Sequence, residues 1–169
     1  MLNFDISDNG KEPLILLHGF MENLSAWDDM EKTLSRDFLL VKIDLPGHGH
    51  SETIAPIQTM EMMADEVKKV TDDLGLGNIH ILGHSMGGYV ALAFAEKFPE
   101  TVKTLTLFFS TFLPDSEEKK EIRQRSTEVI DKDFSLFVNT SIPSLFSANE
   151  RDFLEGKIQI AKKIALASD

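Results

Sequence analysis

The stretch of sequence that decides the fold is Gly83-His84-Ser85-Met86-Gly87-Gly88. It follows an apolar run at 79–82, typical of a buried strand, and precedes a helix predicted from about residue 87 to residue 98. A serine at a sharp turn from a strand into a helix is typical of a nucleophile elbow. Because a side chain at position 83 or 87 would collide with the neighbouring strand and helix, both positions require glycine. We therefore expect Ser85 at the apex of a strained turn, with its Oγ exposed above the helix N-terminus.

The pattern Gly-x-Ser-x-Gly alone would occur by chance in roughly one chain in twenty of this length, so the surrounding sequence has to decide. Upstream, the apolar run Glu12–Leu17 predicts a buried parallel strand that ends in His18-Gly19-Phe20. The other predicted elements near the elbow are strands at 2–6, 38–43 and 102–109 and helices at 25–34 and 60–74. This alternation predicts a mostly parallel sheet, the α/β class, with helices on both faces.

With these motifs the chain resembles the α/β-hydrolase superfamily over about residues 2–109. The resemblance rests on three strand-end motifs, which are His18-Gly19-Phe20, Asp44-Leu45-Pro46-Gly47-His48-Gly49 and the elbow. It is greatest to the small bacterial esterase, lactonase and acyltransferase-like members, which often carry a helical cap. Dehalogenases and epoxide hydrolases of this superfamily use aspartate where this chain has Ser85, so the resemblance disfavours those two chemistries.

The resemblance implies acyl transfer on a small ester, lactone or thioester. Ser85 would be the nucleophile, and the backbone N–H groups of Phe20 and Met86 would form the oxyanion hole. The expected partner is a small-molecule acyl substrate, with no cofactor and no metal. A catalytically silent hydrolase-fold protein, used for binding or interaction, is the alternative.

The general base is missing from the sequence. In this fold the order along the chain is serine, then acid, then histidine, yet no histidine follows Ser85. The strand at 102–109 is followed by Ser110-Thr111-Phe112, without the acid that some members carry there. Asp115 is a substitute to consider, although Asp115-Ser116-Glu117-Glu118 is more typical of the cap and first turn of a helix.

The histidines before the elbow have other expected roles. His18 is expected to support the loop that follows it through hydrogen bonds. His48 and His50 are expected to order their loop, or alternatively to line a substrate entrance. A metal site formed by these two histidines and Asp44 lacks a further clustered ligand and is disfavoured. Because neighbouring side chains at a tight turn point apart, His84 is not expected to reach the Ser85 hydroxyl.

The predicted organisation is an N-terminal part of the hydrolase core at 1–112 and an incomplete helical cap at 113–169. The cap contains predicted helices at 116–130 and 151–167, a short apolar piece at 134–138 and a break at Ile142-Pro143. In the family the last two strands carry the acid and the base, and both are expected to be absent here. We therefore expect a fragment, or a second polypeptide or exchanged subunit that covers the edge of the strand at 102–109.

Composition narrows the classes of function. The 169 residues are 42% hydrophobic, which suffices for a real core, and the net charge is −11. This negative charge argues against nucleic acid and anionic membranes as partners. The chain contains no cysteine, so disulfides and thiol catalysis are excluded. No signal peptide or membrane span is evident, and a cytoplasmic location is expected.

Overall fold

A computed structural model describes residues 1–7 and 11–168, which form two compact units at 1–112 and 113–168. The first unit contains β1 (Phe4–Ser7), β2 (Glu12–Leu17), a 3₁₀ turn (Leu24–Trp27), α1 (Asp28–Leu34), β3 (Phe38–Ile43), α2 (Met60–Asp73), β4 (Ile79–His84), α3 (Met86–Lys97), a 3₁₀ turn (Pro99–Thr101) and β5 (Val102–Phe108). The second contains α4 (Glu117–Lys132), α5 (Phe134–Ser144) and α6 (Glu155–Ala165). Among the described residues, no helix combines the length and the apolar character needed to cross a membrane.

The five strands form one sheet in the order β1-β3-β2-β4-β5. Only β1 is antiparallel to its neighbour, so the prediction of a mostly parallel sheet is confirmed. From β2 the chain moves to β3 on one side and then crosses to β4 on the other. The ends of β2 and β4 therefore form the topological switch point, where open α/β sheets place their ligands.

Helices cover both faces of the sheet, as predicted. Because side chains alternate along a strand, each strand contributes to two cores. The core on the α1 face contains the buried residues Leu14, Leu16, Trp27 and Leu40. The core on the α2 and α3 face includes Ile15, Leu17, Val41, Ile43, Met63, Val67, Val70, Ile79, Ile81, Val90 and Phe94. This double burial fixes the strand register, which sets Leu17 opposite Gly83.

The second unit differs from its prediction in α5. The apolar piece at 134–138 is helical, and its N-terminus is capped by the Asp133 carboxylate, which accepts from the Leu136 N–H at 2.8 Å. The predicted break at Pro143 is wrong, because the helix continues to Ser144. Proline removes one backbone donor, and in the last turn few further helical bonds depend on it. The last helix begins at Glu155, four residues later than predicted.

Candidate active site

The turn between β4 and α3 centres on Ser85, whose backbone has φ 50° and ψ −114°. Residues other than glycine rarely adopt positive φ, and holding one there stores about 1–3 kcal/mol. The Ser85 N–H donates to the carbonyl oxygen of Phe108 at 3.1 Å. The Ser85 carbonyl oxygen accepts from the Ser110 Oγ at 2.8 Å and from the Gly88 N–H at 3.0 Å. Hydrogen bonds from the end of β5 and the first turn of α3 therefore hold the strained residue.

Three glycines allow this turn to close. A Cβ on Gly83 would lie under 3.0 Å from the carbonyl oxygen of Gly87. A Cβ on Gly87 would meet the carbonyl oxygen of Leu17 at a similarly forbidden distance. A Cβ on Gly88 would likewise lie under 3.0 Å from the Oγ of Ser110. The collision predicted at positions 83 and 87 is therefore confirmed, and it involves backbone atoms that cannot move aside.

The two backbone groups predicted as oxyanion donors lie at the ends of adjacent strands. Met86 is the first residue of α3, so its N–H has no acceptor within the helix. Phe20 follows the end of β2, and its N–H donates to no acceptor in the described part of the chain. The ends of β2 and β4 are neighbours because Leu17 pairs with Gly83. The geometry leaves both amides available, and their role as oxyanion donors stays a prediction.

Residues 19–22 form a tight turn at the end of β2. The Glu22 N–H donates to the carbonyl oxygen of Gly19 at 3.3 Å, which closes the turn. Met21 occupies its third position with φ 60°, the conformation that type II turns require there. The Glu22 carboxylate also accepts from the Gly19 N–H at 2.6 Å. The sequence interpretation missed Glu22, although an acidic residue directly after the loop was a visible signal.

His18 supports this loop from below. Its side chain is fully buried, and its Nε2 accepts from the Leu45 N–H at 2.9 Å. The proton is therefore on Nδ1, which donates to the carbonyl oxygen of Gly19 at 2.8 Å. Burial lowers the pKa of His18 to about 4. Because both ring nitrogens are occupied and the ring is neutral, His18 acts as the predicted support.

His48 lies behind the same loop. Its Nδ1 lies 3.0 Å from the carbonyl oxygen of Pro46, and its ring centroid is 5.2 Å from that of His18 and 6.0 Å from that of Phe20. Burial also lowers the pKa of His48. The geometry orders the loop, as predicted, and packs it against the Phe20 ring. The side chain of His50 is exposed, and its backbone N–H binds Asp44 at 2.9 Å.

Asp44 joins three segments of the chain. Asp44 is only 1% exposed. Its carboxylate accepts hydrogen bonds from the Asn3 Nδ2 at 2.8 Å, from the Leu24 N–H at 2.7 Å and from the His50 N–H. Asp44, the first residue of the motif at 44–49, therefore has a structural role, because its carboxylate connects these segments. Within residues 1–7 and 11–168, no group of three or more histidine, aspartate or glutamate side chains is arranged to hold a metal ion.

His84 turns away from the nucleophile and contacts Glu22. Its Nδ1 donates to the Glu22 Oε2 at 2.9 Å, and its ring packs against Phe108 with centroids 5.8 Å apart. Within the described residues the Ser85 hydroxyl makes no hydrogen bond to a histidine. His80 lies on the sheet surface between the side chains of Thr104 and Glu12. The histidines of this chain therefore leave Ser85 without a base.

Asp115, the substitute acid considered from the sequence, has another partner. Its Oδ2 accepts from the Nε of Arg123 at 2.5 Å, and this hydrogen bond lowers the pKa of the Asp115 carboxyl. The next residue, Ser116, caps α4 by accepting from the Lys119 N–H at 3.3 Å. The prediction of a cap and first helical turn at this point is therefore confirmed.

Comparison with known proteins identifies the fold family. A dihydrolipoyllysine-residue acetyltransferase component of the acetoin cleaving system from Pseudomonas putida is 33% identical over 113 residues, 67% of this chain and 30% of that protein. A 2-hydroxy-6-oxononadienedioate/2-hydroxy-6-oxononatrienedioate hydrolase from the same organism is 32% identical over 155 residues, 81% of this chain and 54% of that protein. The solved structure of a thermophilic esterase from Thermogutta terrifontis matches with a TM-score of 0.88 and 32% identity, over 99% of this chain and 62% of that chain.

The chain spans 54% or less of the length of these two relatives and 62% of the solved esterase. The family model described as alpha/beta hydrolase fold matches residues 12–152, which is most of the chain. Together with the sheet order and the elbow geometry, this match establishes that the chain belongs to the α/β-hydrolase fold family.

Proposed function

We propose that this chain carries the nucleophile and the oxyanion hole of a serine hydrolase that acts on a small ester, lactone or thioester. Ser85 is the nucleophile, and the N–H groups of Phe20 and Met86 bind the oxyanion. The observation that carries the proposal is the left-handed backbone of Ser85, φ 50° and ψ −114°, held at the topological switch point. A strained residue maintained at such a position favours a functional role for its side chain.

Two further features support acyl chemistry. The helix N-terminus of α3 begins directly after Ser85, and its positive end favours negative charge developing on a bound carbonyl. The similarity to a protein described as an esterase and to another described as a hydrolase agrees with this chemistry. A removed oxyanion donor typically costs about 3–4 kcal/mol of transition-state stabilisation, so the two amides make a substantial contribution beside the hydroxyl.

The proposed reaction proceeds through an acyl-enzyme. The Ser85 Oγ bonds to the carbonyl carbon of the substrate while its proton moves to a general base. The carbonyl electron pair collects on oxygen, where the two N–H groups bind it, and then re-forms the double bond as the alcohol or thiol leaves with a proton. Water repeats the attack on the acyl-enzyme, which releases the acid and restores Ser85. This chain has no histidine after Ser85, so we propose that the base is supplied from outside these 169 residues.

Active-site labelling tests the proposal, with imidazole in solution as a substitute for the missing base. A positioned base contributes about 10²–10⁴ in rate, so we expect slow labelling of the chain by a fluorophosphonate and faster labelling when imidazole is added. Intact-mass spectrometry and peptide mapping would locate one phosphonyl group on Ser85.

Two serine variants serve as controls. Ser85→Ala should abolish labelling, while Ser135→Ala, which changes an exposed serine of α5, should leave labelling unchanged. A folded wild-type chain that remains unlabelled in imidazole would contradict the proposal. That result would favour a binding or interaction protein built on the same fold.

A further inference from the structure

A single carboxylate oxygen connects the loop after β2 with the elbow after β4. The Oε2 of Glu22 accepts from the Gly19 N–H at 2.6 Å and from the His84 Nδ1 at 2.9 Å. His84 is the residue directly before the nucleophile, and Gly19 is the residue directly before Phe20. The carboxylate therefore contacts one neighbour of each group in the proposed catalytic arrangement.

Gly19 leaves room for this contact. A Cβ at position 19 would lie 2.9 Å from the Glu22 Oε2 and 3.0 Å from the His84 Nδ1. A side chain at this position would force the carboxylate and the imidazole to shift by a few tenths of an ångström and would disturb their contact. The approach of Glu22 thus gives a specific reason for the glycine that follows His18, in addition to substrate access.

The carboxylate also closes the turn in which Phe20 stands. The turn has a backbone hydrogen bond from the Glu22 N–H to the carbonyl oxygen of Gly19, and the side chain adds a second bond between the same two residues. Phe20 and Met21 lie between them, and Met21 has φ 60°. Two bonds at the ends of a four-residue turn restrict the orientation of the peptide groups inside it.

The charges around Glu22 favour the ionised form. Burial acts to raise its pKa, but hydrogen bonds from His84 and from the Gly19 N–H outweigh this effect, and the pKa is lowered. Electrostatic interaction with His84 and His18 acts in the same direction. His48 also lies close enough to Glu22 to interact with it electrostatically. A carboxylate accepts stronger hydrogen bonds than a neutral group. The two hydrogen bonds that the Glu22 carboxylate accepts from Gly19 and His84, here called the clamp, are therefore strong at neutral pH.

We infer that Glu22 is a positioning residue for the oxyanion hole, whose carboxylate fixes the direction of the Phe20 N–H and is itself held by His84. This inference rests on the proposed function. Within the described residues Glu22 makes no hydrogen bond to the Ser85 hydroxyl, and it acts through Gly19 and the turn. His84, which supplies no base, acquires a role as the link between the elbow and this loop.

The labelling rate in imidazole tests the inference. Loss of one oxyanion donor lowers rates by about 10²–10³, so misdirection of the Phe20 N–H in Glu22→Ala should lower the labelling rate at least about tenfold. Glu22→Gln keeps an acceptor for the Gly19 N–H and should restore most of that loss. His84→Ala leaves the bond to Gly19 and should lower the rate about fivefold, the equivalent of one net hydrogen bond.

A matched control separates positioning from general destabilisation. Glu66→Ala removes a glutamate of α2 that pairs with Lys69 on the same helix, and it should leave the rate unchanged. A labelling rate for Glu22→Ala equal to that of the wild type would overturn the inference. An unchanged rate for His84→Ala would remove His84 from it. If Glu22→Ala fails to fold, the labelling rate of His84→Ala decides: a rate about fivefold below that of the wild type supports the inference, and an unchanged rate then overturns it.

Hydrogen exchange of the Gly19 amide gives a readout that is independent of the chemistry. The bond to Glu22 should protect this amide, and the protection should fall at least about tenfold in Glu22→Ala and persist in Glu22→Gln. Unchanged exchange in Glu22→Ala would overturn the clamp even if labelling is slow. If the wild-type chain is not labelled, but the Gly19 amide still exchanges faster in Glu22→Ala than in the wild type, the proposed function is contradicted. The hydrogen bond between Glu22 and Gly19 is then still supported.

Discussion

The Nε2 of His18 accepts a hydrogen bond of 2.9 Å from the Leu45 N–H, and this bond fixes the buried ring as a neutral tautomer. The pKa is about 4 in the folded chain against 6.5 for an exposed histidine. The unfolded chain therefore binds more protons between these values, and stability is fully present above pH 6.5 and lost as the pH falls toward 4. We expect this group to remove about 2–3 kcal/mol from the free energy of unfolding between pH 7 and pH 4.5.

Urea denaturation at both pH values measures this loss against a matched variant. His18→Gln does not titrate, and the other groups are common to both proteins. The variant should have a lower free energy of unfolding than the wild type at pH 7. Between pH 7 and pH 4.5 its free energy of unfolding should fall by about 2–3 kcal/mol less than that of the wild type. Parallel pH profiles for the two proteins would contradict the assigned pKa.

Gly87→Ala should destabilise the first unit by more than about 3 kcal/mol, because the new Cβ would overlap the carbonyl oxygen of Leu17. The backbone on both sides is held by the sheet and the helix, so relaxation is limited. Gly77→Ala is the control, since a Cβ there meets no atom within 4 Å. Chemical denaturation should show a large loss for the first variant and little change for the second.

Gly88 and Ser110 should be energetically coupled. A Cβ on Gly88 would overlap both the Oγ and the Cβ of Ser110, so Gly88→Ala should be strongly destabilising alone. Ser110→Gly removes both of those atoms and also the hydrogen bond to the Ser85 carbonyl oxygen. In a double-mutant cycle we expect a coupling free energy of about 1–3 kcal/mol, with Gly88→Ala less damaging in the Ser110→Gly background. Simple additivity would rule out this contact as the cause.

Asp44→Asn should cost about 2–3 kcal/mol of stability, because one carboxylate oxygen becomes an amide nitrogen that faces N–H donors. The carboxylate accepts from Leu24, Asn3 and His50, and an amide can satisfy only part of this set. Asp72→Asn, on the surface of α2, is the comparison. Equal stability of the two variants would show that the hydrogen bonds of the buried Asp44 carboxylate do not stabilise the fold more than a surface carboxylate does.

The edge of the sheet leads to a prediction about association. The outer edge of β5 pairs with no strand in the described ranges, and Phe109 beyond it is 82% exposed. We propose that a second polypeptide or another copy of the chain covers this edge. The isolated chain should then associate as its concentration rises in sedimentation experiments. Phe109→Asn, which suits the positive φ at this position, combined with Thr106→Lys, should weaken association. A wild-type chain that stays monomeric throughout would exclude another copy of this chain and leave a second polypeptide as the covering partner.

Much of the fold follows from local rules. The glycines at 83 and 87 indicate a turn that only small residues permit, and the spacing of Met63, Val67 and Val70 indicates one buried helix face. The parallel pairing follows because a helix between two strands returns the chain to the end of the sheet where the first strand began. Each of these predictions depends on residues close together in the chain, where sterics and periodicity decide.

The contacts that complete the candidate site were not predictable in the same way. Glu22 and His84 are 62 positions apart, and nothing in either local sequence indicates the pairing. Ser110 was considered only as the residue standing where an acid was absent, whereas its hydroxyl binds the Ser85 carbonyl oxygen. The strand at 102–109 ends one residue early, because Phe109 has φ 46° and leaves the extended conformation.

The dependence of Ser85 on Phe108 and Ser110 has a consequence for the order of synthesis. The N–H of Ser85 needs the Phe108 carbonyl, and its carbonyl needs the Ser110 hydroxyl, so the elbow cannot be locked before both residues have been synthesised. At about 5–20 residues per second, 110 residues take roughly 5–20 s. Until then the serine turn is free to relax, and it acquires its strained shape only when the fifth strand docks.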